Sequence, residues 1–105
     1  MHRRRSVRLR AVVTHPSAGW QRDAQVLNLG LGGACLALQE IVVPGERVHV
    51  SFVAPTLWDP LALPARVAWT LPPTQHESMR VGVSFEPPDA AAVYALFELM
   101  STLAF

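Results

Sequence analysis

The chain has 105 residues, half of them hydrophobic and 16% charged, which suffices for one compact domain with its own core and not for two. Its single cysteine, Cys35, excludes an internal disulfide, and no uncharged apolar run reaches the ~18 residues of a membrane span, so a soluble, cytoplasmic protein is expected. The net charge of +1 hides an asymmetry: Arg3, Arg4, Arg5, Arg8 and Arg10 crowd the first ten residues, whereas the rest of the chain is net acidic. All nine basic residues are arginine, a planar group suited to bidentate contact with phosphates and guanine edges.

From Val7 to Thr14, Leu9, Ala11 and Val13 alternate with Arg8, Arg10, Val12 and Thr14, the period of a half-buried strand. A turn cluster at residues 15–19 leads to a second strand over Gln21–Leu27, which runs into Asn28-Leu29-Gly30-Leu31-Gly32-Gly33. Glycines at this density are not ordinary strand; they permit positive φ and a close backbone approach by something outside the chain. Ala34, Leu36 and Leu38 then alternate with Cys35 and Ala37, and after Pro44-Gly45 the residues Val48, Val50 and Phe52 alternate with His49 and Ser51. Leu61 to Leu71 places Val67, Trp69 and Leu71 opposite Arg66, Ala68 and Thr70, which makes Trp69 a core or half-core residue. Met79 to Phe85 sets Val81, Val83 and Phe85 against Arg80, Gly82 and Ser84, so that Arg66 and Arg80 share an outer face. The proline clusters Pro55 to Pro64 and Pro72-Pro73 mark longer loops.

After Pro87-Pro88 the period changes. Asp89 is an N-cap candidate, and Val93, Leu96, Phe97 and Met100 form one helical stripe. Six short strands with a terminal amphipathic helix predict a six-stranded antiparallel β-barrel closed by a C-terminal α-helix. The expected organisation is one domain over residues 1–105, with 1–6 a flexible basic arm, 7–86 the barrel and 89–103 the helix.

His2, His15, His49 and His76 lack metal-ligand spacing, and no nucleophile and base fall into a catalytic grouping, so neither a metal site nor an enzyme is expected. Trp20 and Trp58, beside turn residues, read as surface aromatics that can touch a ligand or partner. An acidic body with no aromatic platform on its strands argues against DNA or RNA as partner.

Two motifs remain. Arg3, Arg4 and Arg8 form Arg-Arg-x-x-x-Arg, and Asn28, Gly30 and Gly33 form Asn-x-Gly-x-x-Gly twenty residues further on. Followed by Arg66-Val67-Ala68-Trp69 and Val81-Gly82-Val83-Ser84-Phe85, this order resembles the PilZ domain family over nearly the whole chain. The resemblance implies a six-stranded barrel with an RxxxR segment before the first strand and (D/N)xSxxG between the second and third. It also implies cyclic di-GMP as a ligand, with no cofactor, and an effector protein as downstream partner.

The ligand residues it implies are Arg3, Arg4, Arg8, Asn28, Gly30 and Gly33, with Arg5, Gly32, Arg66 and Arg80 as possible additions. The residue chemistry agrees. Arginine grips guanine O6 and N7, pairs with phosphate and stacks on purines, and Asn28 offers a donor and an acceptor. Gly30 stands where the family pattern has serine. The missing hydroxyl removes a hydrogen bond worth roughly 0.5–1.5 kcal/mol, or up to about 3 if its partner is charged. The alternative reading is an interaction adaptor of the same fold that no longer binds the nucleotide.

Overall fold

A computed structural model describes residues 5–54, 61–86 and 89–102. Its strands are β1 (Arg5–His15), β2 (Trp20–Leu29), β3 (Gly33–Leu38), β4 (Arg47–Val53), β5 (Leu61–Leu71) and β6 (Met79–Phe85), followed by the helix α1 (Ala90–Thr102). Every pairing is antiparallel, and the strands close in the order β1-β2-β3-β6-β5-β4, with β4 returning to β1. Closure leaves no unpaired sheet edge. No helix among the described residues is long and apolar enough to cross a membrane.

The predicted alternation fills the interior. Leu9, Ala11 and Val13, then Ala34, Leu36 and Leu38, then Val48, Val50 and Phe52, then Val81, Val83 and Phe85 all point inward and are buried. Phe52 and Phe85 meet edge to face with ring centroids 5.9 Å apart, a favourable geometry for two aromatic quadrupoles.

Four expectations change. β1 begins at Arg5, so Arg5 and Ser6 are ladder residues opposite Leu29 and Asn28 and the expected arm boundary falls inside the strand. Pro64 sits within β5, opposite His49, and not in a loop. In β5, Leu63, Ala65 and Val67 face inward, but an irregularity between Val67 and Trp69 inserts a residue, and Trp69 and Leu71 emerge on the outside. Trp69 is 38% exposed and not a core residue. Trp20, expected on the surface, packs against the core and lies 5.4 Å from the His15 ring. Trp58 lies outside the described residues.

The helix starts as expected. The Asp89 carboxylate accepts the Ala92 N–H at 2.8 Å, and its carbonyl accepts that of Val93 at 3.0 Å. The buried stripe is rotated from the expected one: Leu96 and Leu99 enter the core beside Ala92 and Met100, while Val93 and Phe97 are 41% and 58% exposed. α1 packs on β5, and the side it turns to the barrel carries Ala92, Leu96, Leu99 and Met100.

Candidate ligand-binding face

The pairing registers align outward positions into three rows. One runs Arg10–Gln25–Ala37–Arg80–Leu71, the next Asn28–Cys35–Gly82–Trp69, and the third Gly33–Ser84–Arg66–Arg47. Of the six central positions, on β3 and β6, five are small: Ala37, Cys35, Gly33, Gly82 and Ser84, with Arg80 the exception. They form the floor of a shallow trough with Asn28 on one margin and Trp69 on the other, three strand spacings or about 14 Å away. Both margins lie at bulges, between Val26 and Asn28 in β2 and between Val67 and Trp69 in β5. Bulges re-aim side chains that regular pleating would place elsewhere.

Two glycines are required by close contact. At Gly82 a Cβ would collide with the Trp69 ring, 2.7 Å from Cζ2, so the indole lies directly on the bare backbone and its other side is open to solvent. At Gly33 a Cβ would overlap the Val83 carbonyl. The positive φ that glycines permit is not used in the Gly30–Gly33 segment: among the described residues only Gly19 and Gly45 have it. The segment turns instead by a hydrogen bond from Gly30 N–H to the Gly33 carbonyl at 2.9 Å, and the Gly32 carbonyl accepts Phe85 N–H at 2.9 Å.

The arginines divide into two groups. Arg3 and Arg4 lie outside the described residues. The backbone of Arg5 pairs opposite Leu29, and Arg8 falls in the irregular stretch between the Ser6–Asn28 and Leu9–Val26 pairs, so the arginine-rich segment runs alongside Asn28. Arg66 and Arg80 both reach the outer face, as the alternation predicted, and flank the Trp69–Gly82 pair. Each is engaged by a carboxylate: Arg80 by Glu77 at 2.5 Å, and Arg66 by Glu86 at 3.5 Å and by the Gly45 carbonyl at 3.0 Å. Glu86 also meets Arg47 at 2.6 Å. The Arg47 hydrogen bond is the main reason the Glu86 carboxyl is held below its ordinary range, and Glu86 in turn raises Arg47.

A cleft of about 860 Å³ adjoins the first row through Arg10, Gln25 and Ala37 and continues past Arg22, Asp23 and Gln39. A second cleft, about 730 Å³, lies where β3 ends and β6 begins, between residues 38–41 and 73–79, and touches none of the motif residues.

Sequence reasoning missed Trp69 as a residue of this outer face. The signal was Gly82: a glycine inside a regular strand marks a close approach, here by the indole.

A closed antiparallel barrel with a glycine-turned, arginine-bordered outer face is the architecture of a ligand-binding module. The PilZ domain family matches residues 2–101, and the chain belongs to that family. PilZ domains are binding and regulatory modules. The chain has no match among curated proteins.

Among solved structures, the PilZ domain of YcgR from Escherichia coli with c-di-GMP superposes with a TM-score of 0.77 at 14% identity, over 97% of this chain and 88% of that one. The inhibitor of motility MotI/DgrA from Bacillus subtilis gives 0.75 at 14%, over 97% of this chain, which spans 49% of that one. The PilZ domain of CeSA from a cellulose-synthesizing bacterium gives 0.72 at 16%, over 96% and 97%. At these identities the likeness is one of fold.

Proposed function

We propose that this chain is a cytoplasmic receptor module for cyclic di-GMP that performs no chemistry on the nucleotide. The observation that carries this reading is the Ser6–Asn28 pairing, which sets the arginine-rich segment beside the Asn-x-Gly-x-x-Gly turn on the face that Trp69 borders. The c-di-GMP held by the YcgR PilZ domain supports it. In this reading Arg3, Arg4 and Arg8 grip phosphates and guanine edges, and Asn28 meets a guanine edge. Gly30, Gly32 and Gly33 admit the ligand to the backbone, and Trp69 offers its open ring to a base. Binding orders the N-terminal arginine segment, and an effector protein reads the changed surface.

Calorimetric titration with cyclic di-GMP, beside GMP and cyclic di-AMP, tests the reading. Saturable binding selective for cyclic di-GMP supports it; heats equal to the controls reject it. Gly30 favours the second reading, an adaptor of the same fold without nucleotide binding. That reading is selected if both the parent and Gly30→Ser fail to bind.

A further inference from the structure

Arg66 stands in the same row as Ser84 and Gly33, at the end of the trough, yet its guanidinium is turned the other way. One terminal nitrogen donates to the carbonyl of Gly45, a residue just ahead of β4 whose own N–H bonds to Val67 of β5. The other faces Glu86 at 3.5 Å. Glu86 follows β6 and is anchored there by its N–H on the Pro64 carbonyl, but its side chain crosses β5 to reach Arg47 on β4 at 2.6 Å. The carboxylate therefore draws Arg66 toward β4 and away from the β3–β6 floor. An arginine side chain is longer than the roughly 4.8 Å between strands, so rotation about its own bonds suffices to bring the fork over Ser84.

We propose that Glu86 is a positioning residue that sets the affinity of the face for its nucleotide by competing with a ligand phosphate for Arg66. This rests on the receptor reading above. The Glu86 side chain is 22% exposed and the Arg66 side chain 53%, so the pair is weak enough for a phosphate to displace and strong enough to tax binding. The resting contact is an internal mimic of the ligand: a two-oxygen anion occupying donors that a phosphate would otherwise take.

The test is a double-mutant cycle read by cyclic di-GMP titration of the full chain: parent, Glu86→Gln, Arg66→Ala and the pair together. Glu86→Gln keeps the shape and removes the charge. It is expected to tighten binding about three- to fivefold, the scale of a partly exposed ion pair. Arg66→Ala is expected to weaken binding, and in that background Glu86→Gln should give no tightening. A purely structural role for Glu86 moves the melting temperature without this dependence on Arg66. Unchanged or weaker binding by Glu86→Gln overturns the proposal, as does equal tightening with and without Arg66, which would be a general charge effect. Binding by the parent that Arg8→Ala abolishes while Glu86→Gln leaves it unaltered keeps the receptor reading and rejects this inference. Absence of binding by parent and Glu86→Gln alike rejects both.

Discussion

Where β1 turns into β2, His15 is buried and both of its ring nitrogens are used: Nδ1 accepts Ala18 N–H at 3.1 Å, and Nε2 faces Glu46 Oε2 at 2.5 Å. The Nδ1 contact requires a bare lone pair, which places the proton on Nε2 and makes it the donor to Glu46. Glu46 accepts a second N–H, from Val43, at 2.6 Å. At the outer face of β2, β3, β6 and β5 the arrangement is reversed. Trp69 leaves one side of its ring to solvent, and Arg66 and Arg80, each about half exposed, spend donors on carboxylates that another anion can replace. The first region is closed by its own partners, which suits a role in stability; the second holds its chemistry in exchangeable contacts, which suits the proposed role in binding. Among the described residues no buried side-chain polar atom lacks a partner, so the difference lies in how exchangeable the partners are.

The strongest challenge to this contrast is His15→Leu. Removing the imidazole leaves the Ala18 and Glu46 groups unmatched and is expected to cost about 2–3 kcal/mol, a drop in melting temperature on the order of 10 °C or more for a domain of this size. The cyclic di-GMP dissociation constant should stay within about twofold; if it moves with stability, the two regions are not separable.

Arg8→Ala is the mirror experiment. Loss of a charge-assisted contact worth about 1.5–3 kcal/mol weakens binding about tenfold or more, with the melting temperature unmoved, and Arg4→Ala should behave alike. Both should exceed Asn28→Ala in calorimetry, since neutral hydrogen bonds are about half as strong.

Trp69→Ala should weaken binding by about 1 kcal/mol or somewhat more, the range of base stacking on an aromatic ring. Gly82→Ala sharpens this, because its methyl pushes the indole off the backbone and should reproduce the binding loss with the ring still present. Normal affinity in Gly82→Ala would remove Trp69 from the site. Gly30→Ser restores one hydroxyl and should tighten binding by up to about tenfold while leaving chemical denaturation unchanged.

The smallest effect is the acid limb of stability. The Glu46 carboxyl is held below its ordinary value of 4.5, first by the His15 hydrogen bond and then by Val43 N–H. A depressed folded-state value means that its contribution is fully present above about pH 4.5 and is lost as pH falls through the folded-state value. Urea midpoints measured from pH 6 downward should fall less steeply in Glu46→Gln than in the parent. Parallel curves would show that Glu46 does not set that limb.

Much of the candidate face was legible because its residues are tied to local chain geometry. Asn28, Gly30 and Gly33 stand at fixed spacing around a turn, and the outward placement of Arg66 and Arg80 follows from a period of two on regular strand. Trp69 was misplaced by the same rule. Its strand gains a residue only because β5 must match β6 and curve around a closed barrel, and an inserted residue inverts every side chain beyond it.

The sequence by itself determined the six strands, the helix with its Asp89 cap, and the inward residues of β1, β3, β4 and β6, since each follows from periodicity or capping within a few neighbouring residues. Only the tertiary structure decided which side of α1 is buried, which way Trp69 faces, and that Glu86 reaches Arg47 across β5, 39 residues away in the chain. These depend on register between strands and on how an element is laid against the barrel, and pairings at long sequence separation leave no local pattern to read.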